Sequence, residues 1–144
     1  MIDETVEEIQ GMQSHSSSVI AIKATQALSE LLEREYASVE EFERDLQRNA
    51  GALRRANPSH ASLHNAVWAV ERAVLDVANT VDDAKEFTRE MINRVVDDIE
   101  TGKRRAAANA AETFDDGETF LTHDFSSTAL AAVDAAALDG NYLT

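Results

Sequence analysis

The chain has 144 residues, of which 44% are hydrophobic and none is cysteine. This composition supports a buried core, and the lack of cysteine excludes disulfides, thiolate metal sites and a cysteine nucleophile. With 27 acidic residues against 13 basic ones, the net charge of −14 argues against direct binding to nucleic acid or to anionic membranes. There is no apolar run of the ~20 residues that span a bilayer and no signal segment, so we predict a cytoplasmic protein.

The basic residues include only three lysines, Lys23, Lys85 and Lys103. An acidic, lysine-poor surface is typical of adaptation to concentrated salt, where the Debye length falls to ~3 Å at 1 M and self-repulsion is screened. We therefore favour a protein from a high-salt cytosol. An ordinary acidic protein is the alternative.

Apolar residues at a helical period predict five helices in the first part of the chain. The first covers residues 2–12 and the second residues 19–36. The third begins at a capping box that opens with Ser38, and it ends near the break at Asn57-Pro58. Ser59 is expected to cap a fourth helix, in which Trp68 is expected to anchor the core.

Thr80 begins the fifth and longest helix, which is expected to run to the Asp115-Asp116-Gly117 stop. Its buried stripe is predicted to consist of Val81, Ala84, Phe87, Met91, Val95 and Ile99. Residues 1–116 therefore read as a helical N-terminal domain.

The hydrophobic period changes after Gly117. Residues 118–123 are predicted to form a strand, residues 126–138 a helix, and residues 141–144 the beginning of a second strand. A strand–helix–strand unit cannot be stable alone, because its strands need neighbours and its helix needs a sheet to cover. We therefore interpret residues 117–144 as the start of an α/β domain whose remainder is absent from this chain.

Two hydroxyl-rich segments that precede helices are candidate anion sites. In the first, His15, Ser16 and Ser17 stand before the second helix, where simple capping of the helix is the favoured alternative. In the second, His123 and Asp124 precede Ser126, Ser127 and Thr128. The Asp124 carboxylate competes with an anion there, so a turn-forming role is favoured over a ligand site.

His60 and His64 lie four residues apart, which places both rings on one face of the fourth helix. That spacing suits metal ligands, but no third ligand is visible, so the pair is only a weak metal candidate. A surface or groove-lining pair is the favoured interpretation. The sequence predicts no cofactor.

Two stretches, "LRRANPSHASLHNAV" and "GKRRAAANAAETFDDGETFLTHDFSSTAL", resemble one superfamily. It comprises the alpha, beta and delta regulatory subunits of translation initiation factor 2B, together with ribose-1,5-bisphosphate isomerase and methylthioribose-1-phosphate isomerase. The resemblance implies a mainly α chain, with an N-terminal helical bundle followed by the first strand–helix unit of a truncated Rossmann-like domain. It also implies a homo-oligomer, or assembly with related subunits, through the missing C-terminal domain.

The enzymes of this superfamily differ from the chain at three positions. Where they have a cysteine after Thr-His, this chain has Asp124, which cannot replace a thiol. Where they hold phosphate with an Arg-Gly-Ala stretch and with an arginine before a proline, the chain has His15-Ser16-Ser17 and Asn57. Serine and asparagine grip phosphate far more weakly than arginine.

These departures favour a non-catalytic, regulatory-subunit-like protein that acts in assembly or senses a ligand. A divergent sugar-phosphate isomerase of nucleotide salvage is the alternative, and whether the protein is an enzyme stays open. A nucleotide or sugar phosphate in an interdomain cleft is compatible with both. The candidate ligand-binding residues are His15, Ser16, Ser17, Asn57, His123, Asp124, Ser126, Ser127 and Thr128.

Overall fold

The computed structural model describes residues 2–11, 16–75, 77–123 and 125–144. All regular secondary structure in these ranges is helical, which confirms the prediction of a mainly α chain. The α-helices are α1 (Ile2–Gly11), α2 (Ser17–Ala27), α3 (Val39–Ala56), α4 (Ala61–Val74), α5 (Val81–Ala111) and α6 (Ser127–Leu138). Within the described ranges, none of the helices combines the length and the apolar character that crossing a membrane requires.

By its internal contacts the chain divides into two compact units, residues 1–97 and residues 98–144. Helix α5 passes through the point of division. The sequence predicted a boundary after residue 116, where a helical domain would give way to an α/β domain. The division at residue 97 is based on internal contacts and does not test that boundary, which stays a prediction.

The core of the first unit lies between α2, α3 and α4. Helix α4 packs against both α2 and α3, and α1 contacts α2 and α3. The side chains fully excluded from solvent include Ile20 on α2, Phe42 and Leu46 on α3, and Leu63 and Val67 on α4. Their removal from water is the main stabilising term for this bundle.

Two predicted helix starts are confirmed by hydrogen bonds. The Ser38 hydroxyl accepts the N–H of Glu41 at 3.3 Å, and the Glu41 carboxylate reaches back to the N–H of Ala37 at 2.8 Å. The first bond satisfies an amide in the first turn of α3 that has no helical partner, and the second holds the residue that precedes the N-cap Ser38. Thr80 does the same for α5, because its hydroxyl accepts the N–H of Asp83 at 3.1 Å.

Three expectations about the helices are wrong. The second helix does not continue to residue 36 but gives way to a 3-10 helix over Leu28–Glu33, where the buried leucines fit a three-residue turn. Ser59 does not cap α4, whose N-cap residue is His60. The stripe of α5 is rotated from the expected one, so that Thr88 is buried and Phe87 only half-buried. Burial of Thr88 is tolerated because its hydroxyl donates to the Ala84 carbonyl at 2.7 Å.

A polar cluster around Asp45 ties the segment before α3 to that helix. The Asp45 carboxylate accepts hydrogen bonds from the Arg34 guanidinium at 2.8 Å, the Tyr36 hydroxyl at 3.0 Å and the Asn49 amide at 3.1 Å. The Asp45 side chain is only 13% exposed, so these donors replace most of its hydration. From α5, Lys85 donates to the Arg34 carbonyl at 2.6 Å.

The Tyr36 hydroxyl makes the stability of the fold sensitive to alkali. Burial, aided by the hydrogen bond to Asp45, raises the pKa of Tyr36 from 10.0 to about 12. Because the folded state favours the neutral phenol, its contribution is fully present below pH 10 and is lost as the pH rises to about 12. We expect the melting temperature to fall over this interval and Tyr36→Phe to reduce the fall. Melting curves of both proteins test this, with the exposed Tyr142→Phe as control; equal falls in both variants would contradict the assignment.

In the second unit, the predicted helix α6 is confirmed and the predicted strands are wrong. No strand occurs at residues 118–123 or 141–144 within the described part of the chain. The two segments are joined by a few backbone hydrogen bonds, among them Phe120 N–H to the Thr144 carbonyl and Thr144 N–H to the Glu118 carbonyl, both at 3.0 Å. Bonds over so few residues do not make a ladder, and a strand exists only through a ladder with its neighbours. Helix α5 ends at Ala111, before the expected stop at Asp115-Asp116-Gly117, and Gly117 lies in a turn beyond it with a φ of 80°.

Candidate functional site

A polar groove lies where α3 gives way to α4. It is an open cavity of about 610 Å³ in the first unit. The described residues that line it are Gln10, Ala56, Asn57, Pro58, Ser59 and His60. The groove therefore contains Asn57 and His60, two of the residues that the sequence singled out.

Pro58 and the surrounding hydrogen bonds fix the backbone of Asn57. Proline disfavours a helical residue before it, and Asn57 accordingly ends α3 at φ −143° and ψ 86°. The Asn57 carbonyl then accepts the N–H of His60 at 3.2 Å and a ring N–H of His64, with Nε2 at 3.2 Å. A carbonyl can only accept, so Nε2 of His64 carries a proton in this contact.

The Asn57 side chain offers a neutral donor to the groove. Its Oδ1 accepts a hydrogen bond from the Ser59 hydroxyl at 3.1 Å, which orients the amide plane. The Nδ2 atom of the same amide is a hydrogen-bond donor. Such a group can donate to a phosphate oxygen, but it brings no charge to neutralise the phosphate.

Arg54 and Arg55, the two arginines nearest to Asn57 in the sequence, do not line the groove. Arg54 forms an ion pair with Glu71 between α3 and α4, where both side chains are largely buried. The guanidinium of Arg55 lies over the backbone of the same helix, with Nη1 3.1 Å from the position that a Cβ at Gly51 would take. The described lining of the groove thus contains no arginine or lysine.

The serine segment before α2 is not brought into this groove. Ser16 is the N-cap residue of α2, but its side chain makes no capping bond to that helix; its hydroxyl lies 2.8 Å from that of Ser18. Neither Ser16 nor Ser17 is among the described lining residues. His15 falls outside the described residues, so the anion site predicted there stays a prediction.

In the second unit, the hydroxyl segment begins α6. The Ser126 hydroxyl accepts the N–H of Ala129 at 3.2 Å and so caps the helix. Ser127 and Thr128 are half-buried in its first turn, and His123 is exposed. Asp124 falls outside the described residues, so its predicted turn-forming role is untested. Helix capping is the role that the contacts give to Ser126.

The pair formed by His60 and His64 has no third metal ligand among the residues that the structure describes. Within the described ranges, no three histidine, aspartate or glutamate side chains are placed to hold one ion. His64 also has Nε2 engaged on the Asn57 carbonyl, which leaves only Nδ1 of that ring. His60 lines the groove, in agreement with the favoured interpretation of a surface or groove-lining pair.

Gln10 was not anticipated as a groove residue. It lies on the exposed side of α1, and only the packing of α1 against α3 brings it near Asn57. A glutamine on a polar helix face carries no sequence signal for such a site.

The fold of this chain is similar to the folds of solved translation initiation factor structures. The Pyrococcus horikoshii factor eIF-2B matches 99% of this chain and 48% of its own, with a TM-score of 0.76 and 27% identity. Subunit delta of eIF-2B from A. fulgidus matches 99% of this chain and 44% of its own, with a TM-score of 0.74. Because the identity is only 19%, the second match shows similarity of the fold alone.

Residues 13–144 match the model of the Initiation factor 2 subunit family. The chain belongs to this family, as the resemblance predicted.

The relatives carry two kinds of name. Ribose 1,5-bisphosphate isomerase of Haloferax volcanii is 30% identical over 99% of this chain and 44% of its own. The protein of that name from Haloterrigena turkmenica is 32% identical over 94% of the chain and 41% of its own. A putative translation initiation factor eIF-2B subunit 2-like of Pyrococcus horikoshii is 35% identical over 82 residues, 57% of the chain and 26% of its own. The chain thus spans less than half the length of each.

Proposed function

We propose that this protein is a non-catalytic, regulatory-subunit-like member of the family that senses a phosphorylated small molecule, a nucleotide or a sugar phosphate. One observation carries the proposal: the described lining of the groove offers neutral donors such as the Asn57 amide, and no cation. Neutral donors hold a phosphate weakly, because charge-assisted bonds are roughly twice as strong as neutral ones. Weak, reversible binding suits a sensor better than an enzyme that must hold its substrate in one geometry.

The sequence adds support at two positions outside the described structure. Asp124 stands where the isomerases of the superfamily have a cysteine, and His15 stands in their phosphate-binding stretch. Neither replacement preserves the chemistry of the original group. Assembly with related subunits through a C-terminal domain is part of the same proposal.

A ribose 1,5-bisphosphate isomerase is the second candidate. It is favoured by the names of the two relatives that match nearly the whole chain at 30% and 32% identity. In that case the carboxylate of Asp124 would have to act where the related enzymes use a cysteine thiol.

An isomerisation assay separates the two candidates. The protein as purified from the cells that produce it is incubated with ribose 1,5-bisphosphate, and the sugar is followed by NMR, with the Haloferax volcanii relative as positive control. We expect no conversion. Conversion that scales with protein concentration would overturn the non-catalytic proposal and support the isomerase.

Restoring an arginine to the groove tests whether the groove is the binding site. Asn57→Arg is expected to tighten binding of a nucleoside monophosphate about tenfold, because a guanidinium adds a charged, bidentate donor. Titration calorimetry at one salt concentration measures the change. Asn93→Arg, which adds the same charge at an exposed position of α5, is the matched control. An equal gain in affinity in both variants would show that only the added net charge matters. If neither variant bound more tightly, the groove would not be the binding site.

A further inference from the structure

Two aspartates of the second unit stand directly before a glycine: Asp116 before Gly117 and Asp139 before Gly140. Both glycines have a positive φ, 80° at Gly117 and 97° at Gly140. An aspartyl–glycyl bond can rearrange to isoaspartate, because glycine has no Cβ to keep its amide nitrogen away from the aspartate carboxyl group. The two pairs share this chemistry, so the contacts around each pair decide whether it rearranges.

The rearrangement passes through a succinimide ring and leaves the mass of the chain unchanged. The glycine amide nitrogen attacks Cγ of the aspartate, a C–N bond forms, and the carboxyl hydroxyl leaves as water together with the amide proton. A second water then opens the ring. Attack at Cγ restores aspartate, whereas attack at the backbone carbonyl carbon breaks its bond to nitrogen and gives isoaspartate. The first step therefore needs a glycine N–H and an aspartate carboxyl group that are both free to approach each other.

At Asp116, the backbone of Tyr142 holds both of these groups. The Tyr142 N–H donates to Oδ1 of Asp116 at 2.8 Å, and the Tyr142 carbonyl accepts the N–H of Gly117 at 2.8 Å. We call these two bonds the Tyr142 clamp. The Asn141 side-chain amide donates to the Phe114 carbonyl at 3.2 Å and so fixes the residue before Tyr142. The ring cannot close at Asp116 unless the clamp opens.

At Asp139, the contacts hold the glycine but not the carboxyl group. The Gly140 N–H donates to the Ala137 carbonyl at 3.1 Å, in the turn that ends α6. Hydrogen bonds at helix ends open at little cost in free energy. Asp139 is the exposed C-cap residue of α6, and within the described ranges its carboxyl group accepts no hydrogen bond. Opening of one terminal bond is therefore enough to let the two groups meet.

We propose that Asp139 is a site of spontaneous isoaspartate formation, and that the Tyr142 clamp protects Asp116 from the same reaction. The proposal concerns the covalent ageing of the chain and is independent of the proposed function. It assigns different fates to two pairs of identical sequence, and the difference lies in the hydrogen bonds alone.

The two sites are also linked, because Asn141 follows the first and leads into the clamp. The Asn141 N–H donates to the Ala136 carbonyl at 3.0 Å, which places Tyr142 two residues beyond the end of the turn. Isoaspartate at position 139 adds one methylene group to the main chain ahead of Asn141. The added length shifts Tyr142 relative to Asp116 and weakens the clamp. We therefore expect rearrangement at Asp139 first and at Asp116 later.

Peptide mapping of the aged 144-residue protein tests the proposal. The protein is kept in mildly acidic buffer, sampled over time and digested, and electron-transfer fragmentation distinguishes isoaspartate from aspartate at each position. Tyr142→Pro removes the N–H that holds Asp116 and should raise the rate at Asp116 about tenfold, the effect of losing one hydrogen bond to a charged group. Tyr142→Ala is the matched control. It keeps both backbone bonds and removes only a side chain that is 82% exposed, so the rate should not change.

Two further measurements separate the clamp from the local sequence and test the order of events. In concentrated urea, where the clamp is absent, Asp116 and Asp139 should rearrange at similar rates. Asp139→Glu keeps the charge but cannot form the five-membered ring, so it should delay isoaspartate at Asp116. Circular dichroism confirms that each variant is folded in buffer.

Several results would overturn the proposal. Isoaspartate at Asp116 before Asp139 in the folded protein would do so, as would intact Asp139 in folded protein over a time in which both sites rearrange in urea. Equal rates at Asp116 in Tyr142→Pro and Tyr142→Ala would show that the clamp does not protect it. An unchanged rate at Asp116 in Asp139→Glu would show that the two sites age independently.

Discussion

Replacing Phe42 by alanine is expected to lower the free energy of unfolding by about 3–5 kcal/mol, the usual range for a buried phenylalanine. The Phe42 side chain is fully excluded from solvent. Its ring meets the ring of Tyr36 edge-on, with centroids 5.1 Å apart and an interplanar angle of 88°. The substitution loses the transfer energy of the ring, this aromatic contact and the packing around the cavity that remains.

Chemical denaturation followed by circular dichroism measures this loss. Phe125→Ala removes the same atoms from a residue that is 65% exposed, and it should cost less than about 1 kcal/mol. The comparison holds the chemistry constant and changes only burial. If both variants lost the same stability, Phe42 would not be a core residue.

Replacing Asp45 by alanine is expected to lower the free energy of unfolding by about 1–3 kcal/mol, because the partly buried Tyr36 hydroxyl and Asn49 amide lose their acceptor. The carboxylate receives the Arg34 guanidinium at 2.8 Å, the Tyr36 hydroxyl at 3.0 Å and the Asn49 amide at 3.1 Å. A methyl group can replace none of these bonds. The partially exposed Arg34 recovers water, whereas the half-buried Tyr36 hydroxyl recovers less of it.

The same denaturation experiment applies here, with Asp97→Ala as control because Asp97 is an exposed carboxylate. The control should change stability by less than about 0.5 kcal/mol. Adding Tyr36→Phe to Asp45→Ala should cost less than Tyr36→Phe alone, since the two residues share a hydrogen bond. Additive losses would show that the Tyr36–Asp45 bond contributes little.

Stability and ligand binding are expected to respond to different substitutions on α3. Asp45 and Asn57 are twelve residues apart, which corresponds to about 18 Å along a helix axis. The Asp45 cluster secures the beginning of α3, whereas the polar groove lies at its end. Asp45→Ala should therefore leave the affinity for a nucleoside monophosphate unchanged in protein that remains folded.

The sequence by itself determined the features that depend on neighbours along the chain. Helix periodicity located the helices, and Ser38, Thr80 and Ser126 begin helices as predicted. These bonds join residues three apart, so their geometry follows from local spacing. Gly117 makes a turn for the same reason, because its positive φ is a property of one residue. The family resemblance likewise rested on motifs that can be read directly.

Only the tertiary structure decided which helix faces are covered and where distant residues meet. Trp68 is exposed and Thr88 is buried, although their residue types alone favour the opposite. Gln10 reaches the groove from a helix more than forty residues away from Asn57 in sequence. The segment 118–123 has a strand-like composition yet forms no strand, since strand formation depends on a ladder of hydrogen bonds to other segments. In each case the deciding interaction joins residues far apart in the chain, which local periodicity does not encode.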